Sequence, residues 1–254
     1  MSAKMGRRII GGLLLFAAMV LAWHILTLNS NQYLYPSPAN VINAAIEIFS
    51  SYEIIADSLA SLSRLAIGFL LGLIPAVAIG LVVARILHSG YSAGGLFNFL
   101  RFIPPLALVP LTILWFGIGE FSKYFIIAWT VFFPVYISTL AGAENINKNL
   151  IWVARSMGAT KGQMFLRVIL PAAMPFIVAG ARVGLGIAFS VIIAAELVGA
   201  FSGFGFRIWF FHSVFRVDKM LVYIMLLGIY GIIADRLLKK ASNKFFFWGE
   251  KNDA

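Results

Sequence analysis

From Ile9 to Leu28 the chain runs for about 20 residues without an acidic residue, a lysine or an arginine, and it returns to such runs repeatedly. A helix of that length covers the ~30 Å hydrocarbon core of a bilayer. With no water at that depth, each backbone amide must be satisfied within its own segment or in a closed barrel. Further runs follow at Leu65–Ala84, Phe102–Gly119, Tyr124–Ala143, about Pro175–Gly199, interrupted by Arg182 and Glu196, and Met220–Ala234, the last extended by its flanks. These predict an all-α integral membrane protein with six transmembrane helices. Lys4, Arg7 and Arg8 precede the first run as they would in a signal peptide, but it is too long for an h-region and no A-x-A site follows. It is read as the first span. Residues 29–60 carry Pro36 and Pro38 and then a helix-like stretch from Val41 to about Phe49. At 61% hydrophobic and 12% charged the chain has almost no mass left for a soluble domain. A single membrane domain is expected over 1–254, with its core at about 60–240.

A net charge of +10 raises nucleic acid as a partner. In so apolar a chain it fits loops that obey the positive-inside rule and touch anionic lipid. With the N-terminus inside, the segments 1–8, 85–101, 142–172 and 235–254 hold fourteen Lys and Arg, against four in 29–60, 120–123 and 200–219. Both ends are therefore placed in the cytoplasm, and 142–172 is the longest internal cytoplasmic loop. Phe245 to Trp248, between Lys244 and Lys251, reads as an anchor at that face.

That loop contains WVARSMGATKGQMFLRVILPAAMP, residues 152–175. Periodicity gives a short helix over Leu150–Met157, which Gly158 ends because glycine takes the left-handed conformation a helix stop needs. A second helix starts near Thr160, a natural N-cap, and Pro171 turns the chain back to the membrane. Exposed Trp152, Val153 and Met157 flanked by Arg155 and Lys161 suit two readings: a knob for a groove on a soluble partner, or a helix lying on lipid headgroups.

Gly158, nine residues, then Val168-Ile169-Leu170-Pro171 resembles the EAA signature of permease subunits of bacterial ABC importers. Ala154, Gly158, Leu170 and Pro171 fit it, Val168 replaces Ile, and Trp152 and Val153 stand where the signature has Glu and its first Ala. The resemblance runs from about residue 34 to 240. PSPANV (36–41), SLSRLAIGFLLG (61–72), FLRFIPPLALVPLTILWFGIGEFSK (99–123) and the stretch from Val168 to Phe206 are similar to the nitrate, sulfonate and taurine branch. It implies a type I importer permease fold in a bacterial inner membrane, with a coupling loop at about 144–172 that inserts into a cytoplasmic ATPase. The coupling residues would be Trp152, Val153, Ala154, Arg155, Met157, Gly158, Ala159, Leu170 and Pro171. It further implies a second copy of the chain, two ATPase subunits that bind ATP and Mg, and an extracytoplasmic solute-binding protein. The solute would be a small anion of the nitrate, sulfonate or taurine kind; the same machinery importing a vitamin precursor such as a pyrimidine is the alternative.

Broken backbone at membrane depth is tolerated where it is buried in protein or lines water. Pro104, Pro105 and Pro110 fall in one expected span, as ordinary tolerated prolines or as a wall or gate of the pathway. Gly180, Gly184 and Ala188 form a small-xxx-small ridge, which serves packing within the chain or a homodimer seam; the resemblance tilts to the seam. Arg182 and Glu196 lie within about 40° of each other on a helix, so their common face points to protein or water. They join Ser190 as pathway candidates. Arg182 either stands near an anion's route or snorkels to headgroups, and for Glu196 a structural pair with Arg64 is preferred to contact with solute. GAFSGFGFRIWFF (199–211) reads as an interfacial aromatic belt before a gate loop. Arg207, Arg216 and Lys219 are available to an acidic patch on a binding protein.

Cysteine is absent, and His24, His88 and His212 are scattered, so neither thiol chemistry nor a metal site is expected. No G-x-x-x-x-G-K-[ST], H-E-x-x-H or G-x-S-x-G occurs. The chain is thus expected to be no enzyme and to hold no cofactor. The spans show no buried acidic relay of the kind proton-driven carriers use. A self-sufficient carrier or an intramembrane enzyme is then the weaker alternative.

Overall fold

The computed structural model describes residues 2–87, 94–197 and 199–245, and among them there is no strand. The anchor expected at Phe245–Trp248 falls almost wholly outside these residues. The chain order is α1 (Ser2–Thr27), α2 (Pro38–Ser50), α3 (Glu53–Leu87), α4 (Gly94–Leu100), a 3-10 turn (Pro105–Leu108), α5 (Val109–Phe116), α6 (Glu120–Glu144), α7 (Lys148–Ser156), α8 (Lys161–Met164), a π turn (Phe165–Ile169), α9 (Leu170–Leu197), α10 (Phe204–Ser213) and α11 (Val217–Phe245). Five helical stretches among the described residues are long and apolar enough to cross a membrane: Ile10–Thr27, Glu53–Ala84, Glu120–Glu144, Lys161–Leu197 and Val217–Asn243. Pro75, Pro134 and Pro175 lie inside them without ending them.

The expected third span at Phe102–Gly119 takes a different form. Pro104 sits in extended backbone (φ −62°, ψ 128°) as the cap of the 3-10 turn, and Pro110 opens α5. Two adjacent prolines remove two backbone donors, and each biases its predecessor away from the helix. The apolar helix that remains, Pro105–Phe116, is too short to span alone, reaching only about 18 Å at 1.5 Å per residue. The membrane part is therefore five full spans plus a short broken one.

The core is a three-helix layer with α6 in the middle, packed on α3 along one side and α9 along the other. Small residues bring these helices together. On α3, Gly68, Gly72, Ala76 and Gly80 form a four-step ridge; a Cβ on Gly72 would lie 2.5 Å from the Ala128 carbonyl oxygen of α6. On α9, a Cβ on Gly180 would lie 2.6 Å from Ser138 Cβ and 2.8 Å from the Pro134 oxygen. Close backbone approach of this kind is how helices pack where lipid removes the hydrophobic incentive. α11 crosses α9, α10 and α2, while α1 stands off the layer and touches α2; Trp23 Nε1 donates to the Pro36 oxygen at 3.1 Å.

Candidate functional site

Three regions carry the candidate residues. The hairpin at 142–172, expected on the cytoplasmic side, is strongly exposed. Asn147 caps α7 by accepting from Asn149 N (2.9 Å). α7 then ends in a Schellman motif: Gly158, at φ +75°, donates to the Arg155 oxygen (2.9 Å), and Ala159 to the Ala154 oxygen (3.0 Å). Thr160 and Gln163 close a reciprocal capping box on α8. A π turn over Phe165–Ile169 then feeds Leu170 and Pro171 into α9. The hairpin is thus held by its own caps. Trp152 (61% exposed), Val153 and Met157 (81%) point away from the chain's core. Ala154 and Ala159 are half-buried beneath them, and Lys148, Arg155, Lys161 and Arg167 are exposed around them.

The second region is α9. Its ridge Gly180, Gly184 and Ala188 is buried against α6 of the same chain, so it is not free to form the expected dimer seam. The opposite stripe, Ala179, Arg182, Val183, Gly186, Ile187 and Ser190, is the exposed one. With α11 it forms a groove of about 600 Å³, lined by Arg182, Gly186, Ser190, Gly228, Gly231 and Asp235 among others. Arg182 grips Asp235 through both carboxylate oxygens (2.7 and 2.8 Å). It therefore belongs to an ion pair with α11, a partner that neither sequence reading named. Arg182 and Glu196 do not share surroundings: the first is 41% exposed on the groove, the second fully buried. Fourteen residues at 1.5 Å each set them about 21 Å apart along the axis, one against Asp235 of α11 and the other against Arg64 of α3.

The third region lies at the ends of the helices opposite the hairpin, around the N-terminal half of α3 and the end of α9. Arg64 of α3 donates from Nε and Nη2 to both oxygens of Glu120 (2.6 and 2.9 Å), and from Nη1 to Glu196 Oε1 (2.8 Å) and the Ser202 carbonyl (2.7 Å). Glu196 also accepts from Ser61 Oγ (2.7 Å) and Gly205 N (2.8 Å). The preferred pairing of Glu196 with Arg64 is present, and its place among the pathway candidates is withdrawn because no face of it reaches solvent. One turn earlier, Asp57 accepts from Gly203 N (2.9 Å), Arg207 Nε (2.7 Å) and Tyr223 OH (3.1 Å). Asp57 and Glu196 are buried acids, and both are saturated with donors. These bonds fix the 199–203 turn and the start of α10, with Phe204 and Phe211 in the core, so the 199–211 segment is more than an aromatic belt. Arg207, Arg216 and Lys219 are engaged within the chain, with Asp57 and Glu53, with Asp218 and Glu47, and with Glu47 respectively. They are not free cations awaiting a partner.

Among the described residues no group of three His, Cys, Asp or Glu stands close enough to hold a metal ion. Glu120, Asp57 and Asp235 are the site residues that sequence reasoning missed. The signal for them was a short acidic inventory of ten residues, in which an acid within or at the end of an apolar run needs a cation.

Known proteins match this arrangement. A probable ABC transporter permease protein of Brucella abortus (strain 2308) is 35% identical over 244 residues, covering 94% of this chain and 95% of its own. The putative aliphatic sulfonates transport permease protein SsuC of Bacillus subtilis (strain 168) is 34% identical over 251 residues, covering 96% and 91%. The fold is shared with the inward-facing MetNI methionine ABC transporter, at a TM-score of 0.60 and 22% identity over 77% of this chain and 97% of that one. The family model described as binding-protein-dependent transport system inner membrane component matches residues 68–245. The five spans, the broken sixth and the self-capped hairpin are the form that family takes here, and the chain belongs to it, as a multi-pass ABC importer permease of the inner membrane.

Proposed function

We propose that the chain forms half of a transmembrane conduit, and that its cytoplasmic hairpin is the handle by which a separate ATPase moves it. The hairpin carries this reading. Its Trp152, Val153 and Met157 are exposed on the positively charged side, and caps rather than tertiary packing hold them. Apolar side chains ringed by Lys148, Arg155, Lys161 and Arg167 fit a cleft with an apolar floor and an acidic rim. Two copies of the chain, each with one ATPase subunit, would enclose the route, and ATP with its Mg would belong to those subunits. An external binding protein would bring solute to the outer face.

The broken helix with Pro104, Pro105 and Pro110, and the free stripe of α9 with Arg182 and Ser190, are the segments we assign to the route. Its solute is a small anion, of the sulfonate kind named for the Bacillus relative, which would compete with Asp235 for Arg182. ATP binding closes the ATPase pair, draws the hairpins together and rocks the spans outward. Such coupling requires that the two states of the membrane part differ in contact energy with the ATPase. The test is uptake into proteoliposomes that hold this chain, its ATPase and its binding protein. Solute accumulation that requires all three and ATP supports the reading. Uphill transport by this chain alone, without nucleotide, would refute it.

A further inference from the structure

The turn after the short helix and the turn after α9 meet each other, and the geometry points to Arg64 as the clasp that holds them together and to Glu120 as its releasing arm. The proposal rests on the transport reading and adds to it the residues that position the outer gate.

One turn, Gly117 to Gly119, joins α5 to α6; the other, from Gly199 to Gly203, joins α9 to α10. Both bend at left-handed glycines, Gly117 (φ +74°), Gly199 (φ +75°) and Gly203 (φ +114°), where the backbone moves without a side-chain penalty. They touch directly, since a Cβ on Gly199 would lie 2.6 Å from Ile118 Cγ2 and 3.6 Å from Ile118 Cβ. Arg64 reaches both turns from α3. Its fork holds Glu120 at the end of the first, and its Nη1 holds the Ser202 carbonyl in the second together with Glu196.

The two arms are unequal. Glu196 is fully buried and also bonded to Ser61 and Gly205, so α3, α9 and the start of α10 form one rigid body. Glu120 is 45% exposed and also accepts from Lys123 Nζ at 2.9 Å. If Glu120 leaves Arg64, its charge stays matched by Lys123, and that of Arg64 stays matched by Glu196. No bare charge is left behind, which makes this the less costly of the two arms of Arg64 to break. Release frees the 117–119 turn and, behind it, α5 with its prolines, while the 199–203 turn stays fixed.

The experiment uses the complex in proteoliposomes with Ile118→Cys and Gly199→Cys in one chain, which has no other cysteine. A Cβ separation of 3.6 Å suits a disulfide. Oxidation without nucleotide is expected to cross-link the chain and lower uptake about tenfold, reversibly with reductant. Glu120→Gln is expected to lower the nucleotide-free cross-linking rate about threefold. ATP with vanadate is expected to lower it in the chain that retains Glu120. Unimpaired uptake by the cross-linked chain, or a rate indifferent to Glu120→Gln, overturns the proposal. Should Cys at position 199 prevent folding, a fluorophore pair on Phe121→Cys and Phe201→Cys reads the same turns. A separation that grows on ATP binding supports the clasp, and one that stays constant during ATP-driven uptake overturns it. Absence of ATP-driven uptake by the cysteine-free parent would instead remove the transport reading, and this proposal with it.

Discussion

A carboxylate taken fully out of water costs several kcal/mol unless a cation and hydrogen bonds surround it, and Glu196 has both in Arg64, Ser61 and Gly205 N. Removing it leaves Arg64 with only the more exposed Glu120. Glu196→Ala is expected to cost about 3–5 kcal/mol, read as a lower midpoint of thermal unfolding in detergent. Arg182 is a different case, because its pair with Asp235 is 41% exposed on both sides and worth little to stability. Arg182→Ala is expected to reduce uptake of an anionic solute about tenfold, with ATP hydrolysis changed far less; equal losses in the two assays would make it a structural residue. Outside the spans, hydrogen bonds and charge from Lys219 and Arg216 hold the Glu47 carboxyl below its usual range. A depressed carboxyl stabilises the fold above its unfolded pKa of about 4.3 and loses that contribution as pH falls through the lower folded value. The melting-temperature difference between Glu47→Gln and the parent is therefore expected at neutral pH and should shrink progressively as pH falls below about 4.

Among the elements, α6 is the axis on which the others are assembled. Its two neighbours approach on glycine ridges, and the two faces of α9 divide the work. Gly180→Leu forces a side chain into Ser138 and the Pro134 carbonyl and is expected to cost about 1–3 kcal/mol. Gly186→Ala, into open space on the free stripe, should leave the unfolding midpoint unchanged or slightly raised. The spacing of Gly180, Gly184 and Ala188 was legible as a ridge, but a spacing does not say which helix it meets. The α3 ridge at Gly68, Gly72, Ala76 and Gly80 carries the same spacing and was hidden within an apolar run. The broken span shows the converse. Hydropathy across 102–119 is that of a full helix, and the break is written only in the backbone chemistry of Pro104 and Pro105.

At the scale of the whole molecule, hydropathy and charge place the five long spans, because both are sums over many residues and tolerate local error. The hairpin was legible down to its caps at Gly158 and Thr160, since capping is local chemistry. The ion pairs were less so. Arg64 with Glu196 could be anticipated from two charges at the same membrane depth. Arg182 with Asp235, and Asp57 with Arg207, depend on how helices distant in sequence are turned about their axes. The account as a whole stands on the hairpin facing inward and being gripped there by a nucleotide-hydrolysing partner. Met157 stands at its tip, 81% exposed, in a chain without cysteine, so Met157→Cys gives a single reactive handle. The decisive measurement is short-range thiol cross-linking from that position in intact membranes. The account predicts a cross-link to the ATPase subunit whose yield changes with ATP. A cysteine that reacts instead with a membrane-impermeant reagent added outside the cell would contradict it.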